Sequence, residues 1–374
     1  MQSQSYTRKL VTLQTISSIQ PIPGADVIAT ATIQGWQVIV KKSEFNVGDL
    51  CLFFEIDSFL PIEPRYEFLK KSTKFNNTEG YRLKTMKLRN VLSQGLALPL
   101  TMFPEIQNPK FDYDYSHVLN VIKYDNELQA YSQKPGVKPG KTKGKFPNFI
   151  PKTDQPRIQN LVSYFDSLTN EEFEETLKLD GSSMTCYKIA TTPSLWDKIK
   201  AFFGCNFKPY HFGVCSRNLE LKPKSNNVIT FNNQGKESIY DQSDFWTAAI
   251  KYDIESKLPV GYAIQGELIG PKIQANHEKV TSLEYYVFDV FDISKGEYLL
   301  PEARRSFCDT YNIQHVPVTN ANAKPLQADL SSLLKHVEGP SMNLGTVSEG
   351  RVYKHVSKPI SFKAISNQYL LKEA

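Results

Sequence analysis

The chain has 374 residues, against a typical domain of roughly 100 to 200, so two domains are expected and a stapled mini-protein is excluded. Hydrophobic residues at 40% and aromatics at 12% exclude a mainly disordered chain. Lys and Arg exceed Asp and Glu by 44 to 39, a net +5 that permits an acidic or nucleic-acid partner without demanding one. Five cysteines with no CxxC pair disfavour a disulfide framework or a zinc ribbon and favour a reducing compartment. No apolar run reaches bilayer length, and MQSQSYTRKL lacks the apolar core of a signal peptide. The expectation is a soluble intracellular monomer, cytoplasmic or nuclear, with no membrane partner.

From Lys9 to about Leu100 the segments LVTLQTI, VIATATI, GWQVIVKK and DLCLFFEI are rich in β-branched and aromatic residues and separated by Pro-Gly, Gly and Asp, which predicts a small barrel of short strands. The stretch YRLKTMKLRNVLSQGLALPL sets Arg82, Lys84, Lys87 and Arg89 among Leu83, Met86 and Leu88, as in a strand with one basic and one buried face. Such a strand suits either a nucleic-acid-binding barrel wall or a solvated edge guarded by lysines. Between Lys134 and Lys152 lie six lysines, four prolines, three glycines and no acid, which is the composition of a linker or a basic strap that could touch phosphates. Beyond it, TLKLDGSSMTCYKI, HFGVCSRNLEL, VGYAIQGELIG, LEYYVFDVFDI and GTVSEGRVYKHV predict strands, while ESIYDQSDFWTAAIKYDI and PLQADLSSLLKHV predict amphipathic helices. The fold class is α+β, divided as residues 1–130, a linker at 131–152 and a second domain at 153–374. Neither GxGxxG nor GxxxxGK[ST] occurs, so a Rossmann site and a P-loop are excluded. The histidines His117, His211, His277, His315, His336 and His355 show no metal-like spacing, and no serine sits in a nucleophile elbow.

Lys178-Leu179-Asp180-Gly181 places an amine beside a carboxylate and ends on a residue that allows a tight turn, a combination suited to covalent phosphoryl chemistry. Downstream come Ser216-Arg217-Asn218, Gly266-Glu267-Leu268, Val287-Phe288-Asp289, Glu349-Gly350-Arg351 and Ser361-Phe362-Lys363. In this order the chain resembles the covalent nucleotidyltransferases, the superfamily of polynucleotide ligases and capping enzymes, over about residues 155–372. It is most similar to RNA ligases of the Deinococcus type, because PIPGADVIATATIQGWQVIVKKSEFNVGDLCLFFEIDSFLP resembles their N-terminal OB module and SFKAISNQYLLK their closing segment. DNA ligases and capping enzymes usually carry an OB domain after the last lysine motif, whereas only eleven residues follow Lys363.

The resemblance implies an OB-like β-barrel followed by an antiparallel-sheet nucleotidyltransferase domain, ATP-grasp-like in its layout, and an ATP-dependent RNA ligase that seals 5′-phosphate and 3′-hydroxyl ends, at nicks in RNA-containing duplexes. It implies Lys178 as the nucleophile taking AMP, with Arg157 and Lys363 as catalytic cations on the phosphates. Asp180, Glu267 and Glu349 would orient Mg2+ or Mn2+ through water, with Glu267 on the ribose hydroxyls as an alternative. Phe288 would stack on adenine, and Arg217 would contact ATP or the incoming RNA end, with Arg82, Lys84, Lys87 and Arg89 holding RNA. An ordinary lysine is protonated at neutral pH, so neighbouring cations and metal are expected to favour the neutral amine of Lys178. Ser361 stands where some relatives carry a further lysine, Leu177 stands where others carry an acid, and Thr191–His211 is a long insertion. The alternatives left open are a noncatalytic RNA-binding protein on this scaffold, a DNA ligase and a guanylyltransferase. Removing residues 1 to about 130 is expected to spare lysine adenylylation and impair sealing.

Overall fold

The computed structural model describes residues 8–124, 142–192, 208–223, 230–231, 237–238 and 243–373. The first domain opens with β1 (Val11–Pro21), β2 (Ile28–Ile33), β3 (Trp36–Lys41), β4 (Leu50–Phe54) and β5 (Ser58–Pro61). It continues with β6 (Thr73–Phe75), β7 (Thr78–Arg82), β8 (Met86–Leu88), β9 (Val91–Ser93), β10 (Leu96–Pro99) and β11 (Ile122–Lys123). Two curled antiparallel sheets result, in the orders β10-β4-β1-β2-β3 and β11-β5-β7-β6. Alternation along β1 and β4 explains the closure. Val11, Leu13, Leu52 and Phe54 enter one core with Tyr66 and Phe103, while Ile16, Cys51 and Phe53 enter a second core with Trp36 and Val38.

The basic stretch after Arg82 is not one strand. Arg89 and Asn90 both take left-handed backbone angles, φ 49° and 62°, and turn β8 back onto β9 as a two-residue hairpin. Met86 and Leu88 are therefore exposed, and only Leu83 of the expected apolar face is buried.

Part of the expected linker is a strand. Residues Thr142–Lys145 form β12, an edge strand on β16 (Leu219–Leu221), because TKGK lies between two prolines but contains none and can offer its backbone groups to a neighbour. Residues 125–141, with the first part of the lysine run, lie outside the described residues. Next come α1 (Phe165–Leu168), β13 (Phe173–Lys178), β14 (Ser182–Ala190) and β15 (Tyr210–Cys215), with the short pair β17 (Thr230–Phe231) and β18 (Glu237–Ser238) after β16. Then follow α2 (Asp244–Lys251), α3 (Ile254–Lys257), β19 (Tyr262–Ile269), β20 (Glu284–Asp292), β21 (Glu297–Tyr298) and α4 (Pro301–Thr310). The chain closes with β22 (Val318–Ala323), α5 (Leu330–His336), β23 (Gly350–His355), β24 (Ser361–Ile365) and α6 (Asn367–Glu373).

A seven-stranded sheet, β12-β16-β15-β14-β19-β20-β21, faces a four-stranded sheet, β22-β13-β23-β24. Several sequence expectations are corrected here. TLKLDGSSMTCYKI is two strands in two different sheets, and HFGVCSRNLEL is a hairpin turning at Ser216–Asn218. The helix expected from Glu237 starts at Asp244, where the Ser243 side chain accepts from the Trp246 N–H, and it breaks where Asp253 takes φ 52°. Helices α1, α4 and α6 lie outside the elements expected from the sequence. Most of the 191–211 insertion lies outside the described residues, between the paired ends Ala190 and Tyr210.

The two domains are joined by specific contacts. Trp36 Nε1 donates to Asn160 Oδ1 at 2.7 Å, and Asn160 Nδ2 donates to Glu55 Oε1 at 2.8 Å. Leu92 of β9 packs into a cluster with Ile365, Tyr369 and Leu370. Lys87 donates to the Leu371 carbonyl at 2.9 Å, which answers an orphan acceptor at the end of α6.

Candidate active site

The turn between β13 and β14 is where the chain passes from one sheet to the other. A side chain at Gly181 would strike the Leu268 carbonyl and Ile269 of β19, so glycine is what lets Asp180 and Lys178 lie so close to that strand. In register, Lys178 faces Gly350, which brings Glu349 to the amine, and Ser183 faces Glu267. Gly350 is needed as well: its φ is 153°, and a Cβ there would meet the Ala364 carbonyl of β24. The result is a cavity of about 280 Å³ lined by Lys178, Asp180, Arg217, Glu267, Phe288, Glu349 and Lys363, along with Lys354 and Asp154. Seven of the eight positions expected around the nucleotide converge on it, drawn from four strands and three connecting segments.

Lys178 Nζ donates to Glu349 Oε2 at 2.6 Å. Burial opposes the ammonium, but Glu349, Glu267 and Asp180 outweigh it and hold the Lys178 pKa above that of an ordinary lysine. The resting nucleophile is therefore charged and paired, contrary to the expectation of a cation-rich surrounding. Positive charge is instead pressed out of Lys363, whose pKa is lowered to about 8 by burial, Lys178 and Arg157, with Asp154 resisting. Glu267 is pushed up to about 8 by burial and by Glu349 and Asp180, against the pull of Lys178.

Three acids crowding one cavity until one of them retains its proton form a donor set suited to a divalent cation. Among the described residues no three His, Cys, Asp or Glu side chains converge as a ready-made cage, so Asp180, Glu267 and Glu349 fit a hydrated ion held jointly with a nucleotide rather than a naked one.

Phe288 is half-buried against Leu177, Leu179 and Val316 with the remainder in the cavity, as a stacking platform requires. Phe362, by contrast, is wholly buried and stacks on Tyr353.

Arg157 lies next door, in a second cavity of about 330 Å³ between the domains, lined also by Arg8, Arg82, Lys123, Asp154, Arg217 and Lys363. Its backbone bridges to Lys363, and its guanidinium carbon sits 5.5 Å from the Trp36 ring centroid. Burial and Arg8 lower its pKa against the pull of Asp57, Glu349 and Glu55, and its Nη1 is buried without a hydrogen-bond partner among the described residues.

Of the other expected cations, Arg82 reaches this second cavity, held by Asp57 at 3.1 Å and stacked over Tyr124 at 4.2 Å. Lys84, Lys87 and Arg89 do not: they stand exposed on and beside the β8–β9 hairpin. Three features escaped the sequence. Lys354 binds the Phe288 carbonyl at 2.6 Å and pairs with Asp289, and burial lowers its pKa to about 8. Burial, Glu349 and Asp180 push the pKa of the Tyr369 hydroxyl of α6 up. Asp154 salt-bridges both Lys363 and Lys123.

The OB-fold domain family model matches residues 10–100, and the RNA ligase family model matches residues 171–366. Among solved structures, a Naegleria gruberi RNA ligase mutant with AMP and Mn is 35% identical, with TM-score 0.78, covering 98% of this chain and 99% of that one. A mutant of the Naegleria gruberi ligase with ATP and Mn, and the ligase with PPi, each align at 35% identity and TM-score 0.76 over 98% of this chain and 99% of theirs. No curated protein matches the chain. No helix among the described residues is long and apolar enough to cross a membrane.

Proposed function

This chain belongs to the RNA ligase family, and on that basis we propose that it joins 5′-phosphate and 3′-hydroxyl ends with ATP, at nicks in duplexes whose 3′ side is RNA. The observation that carries the reading is the Lys178–Glu349 pair at 2.6 Å inside a cavity that also gathers Asp180, Glu267, Phe288, Lys363 and Arg217. The Naegleria structures, which hold ATP, AMP, Mn or PPi, support the same cosubstrate and a divalent ion, Mg2+ or Mn2+, for this site.

Adenine stacks on Phe288, and the α-phosphate lies between Lys178 and Lys363. Glu349, hydrogen-bonded to the Lys178 ammonium, takes its proton and frees the lone pair. The amine then attacks the α-phosphorus, an N–P bond forms, and the bond to pyrophosphate breaks. Arg157, anchored to the barrel, holds the leaving pyrophosphate, and Lys363 balances the charge developing on the α-phosphoryl oxygens. A hydrated divalent ion near Asp180, Glu267 and Glu349 supplies further positive charge when bound. AMP next passes from Lys178 to the RNA 5′-phosphate, with Arg217 on that phosphate. The 3′-hydroxyl then attacks the activated end, and AMP departs. Residues 1–130 grip the duplex through Arg82 and the hairpin bearing Lys84, Lys87 and Arg89, joined through 131–152 to the catalytic domain at 153–374.

Labelled ATP with Mg2+ tests the first step. Covalent label in the native chain that is absent from Lys178→Ala supports the enzyme, and no label in the native chain supports a noncatalytic binder. Labelled GTP in parallel decides the nucleotide, and nicked duplexes with RNA or DNA on the 3′ side decide the strand.

A further inference from the structure

Lys363 is pinned from behind. Its backbone N–H donates to the Pro156 carbonyl at 2.9 Å, and its backbone bridges to Arg157, so residues 154–157 run alongside β24 as a strap. That strap carries Asp154. One carboxylate oxygen lies 3.2 Å from Lys363 Nζ, and the other lies 2.9 Å from Nζ of Lys123, at the end of β11 in the barrel. Asp154 lines both cavities, standing where the nucleotide pocket opens onto the interdomain pocket. Among the described residues it is the one acid in ion-pair contact with Lys363. The strongest other charges on Lys363 are cationic, Lys178 from β13 and Arg157 from the strap, with Asp180, Glu267 and Glu349 further round the same cavity, while Lys123 and Arg217 act on Asp154.

From this geometry we propose that Asp154 is a positioning residue that keeps Lys363 charged and aimed into the nucleotide pocket and ties it, through Lys123, to the seating of the first domain. A half-buried lysine with two cations nearby would shed its proton more readily without an anion beside it. Asp154 supplies one from a backbone fixed beside it. Burial disfavours the carboxylate, yet Lys363, Lys123 and Arg217 hold the Asp154 pKa far below the usual range, so it is ionised at every working pH. Lys123 and Lys363 share this one carboxylate. With the barrel seated as it is the share is divided; without Lys123, Asp154 would bear wholly on Lys363. The position of the RNA-gripping domain is thereby registered in the charge of a residue that faces the α-phosphate. This role rests on the ligase reading above, but its physical core can be measured without any turnover.

The test uses the full chain without nucleotide. The pH dependence of Lys363 acetylation by acetic anhydride, read by peptide mass mapping, gives its titration midpoint. Asp154→Asn should move that midpoint about one unit towards acid, and Lys123→Ala should move it about 0.3 to 0.5 unit towards alkali, because removing the competing cation strengthens the remaining pair. The alkaline limb of kcat/KM for ATP, which reports the free enzyme, should follow the same two displacements. An unmoved Lys363 midpoint in Asp154→Asn overturns the proposal, as does a rate lowered equally at all pH values with the limb in place. An unmoved midpoint in Lys123→Ala overturns the link to the first domain. If Asp154→Asn does not fold, Lys123→Ala decides alone. If the native chain takes no AMP from ATP, the ligase reading fails while the acetylation midpoints still decide this one.

Discussion

The barrel is expected to be part of the adenylylation machinery, because Trp36 holds Arg157. Trp36 is 1% exposed, donates to Asn160 at 2.7 Å and places its ring 5.5 Å from the guanidinium carbon. Arg157→Ala removes a charged contact to the triphosphate worth about 1.5 to 3 kcal/mol, or about 10- to 160-fold in kcat/KM for ATP. Trp36→Phe keeps most of the ring but strips the N–H from Asn160 and weakens the cation–π contact, a change of about 1 to 2 kcal/mol. If Trp36 acts through Arg157, the two penalties will not add. In the Arg157→Ala background, Trp36→Phe should cost less than about twofold in single-turnover labelling with ATP. The same reasoning predicts that a chain lacking residues 1 to about 130 adenylylates slowly, in contrast to the expectation from sequence alone. Full additivity of the two substitutions, or native-rate labelling by the truncated chain, would refute it.

Glu349→Gln removes the strongest force sustaining the Lys178 ammonium, so burial should prevail and Lys178 should react faster with an amine reagent at pH 8 while AMP capture falls; unchanged reactivity would count against the pairing. Glu267 titrates at about 8 in the folded chain and near 4.5 unfolded, so the stability it lends is complete below pH 4.5 and fades as pH rises through 8. Glu267→Gln should accordingly gain on the native chain across that window, by at most about 5 kcal/mol in denaturant unfolding of the nucleotide-free protein, and a parallel pair of curves would contradict this. Lys354→Met strands the Asp289 charge in the interior, at about 3 to 5 kcal/mol, and adding Asp289→Leu should recover most of that loss.

The strands were legible wherever local chemistry decides them. Alternating apolar residues in β3 announce one buried face, whereas the longer apolar runs of β19 and β20 belong to strands buried on both faces. Breaks were harder to see, because a turn such as Arg89–Asn90 carries neither Gly nor Pro and is set by two left-handed residues. The site was legible through the order of its short motifs, which named Lys178, Glu267, Phe288, Glu349 and Lys363. Its electrostatics were not. The Lys178 ammonium is governed by an acid 171 positions away, and Arg157 by a tryptophan of the other domain. Asp154 gives no signal in the sequence, because it follows directly on a Lys/Pro/Gly stretch with the composition of a tether. Lys354 was overlooked because its meaning lies in Asp289, 65 residues earlier on β20.

The most direct measurement is the intact mass of the full chain after mixing with ATP and Mg2+, followed by peptide mapping. A gain of one adenylate confined to the peptide bearing Lys178, and lost in Lys178→Ala, is the result predicted here. An unchanged mass, or adenylate on any other side chain, would contradict it.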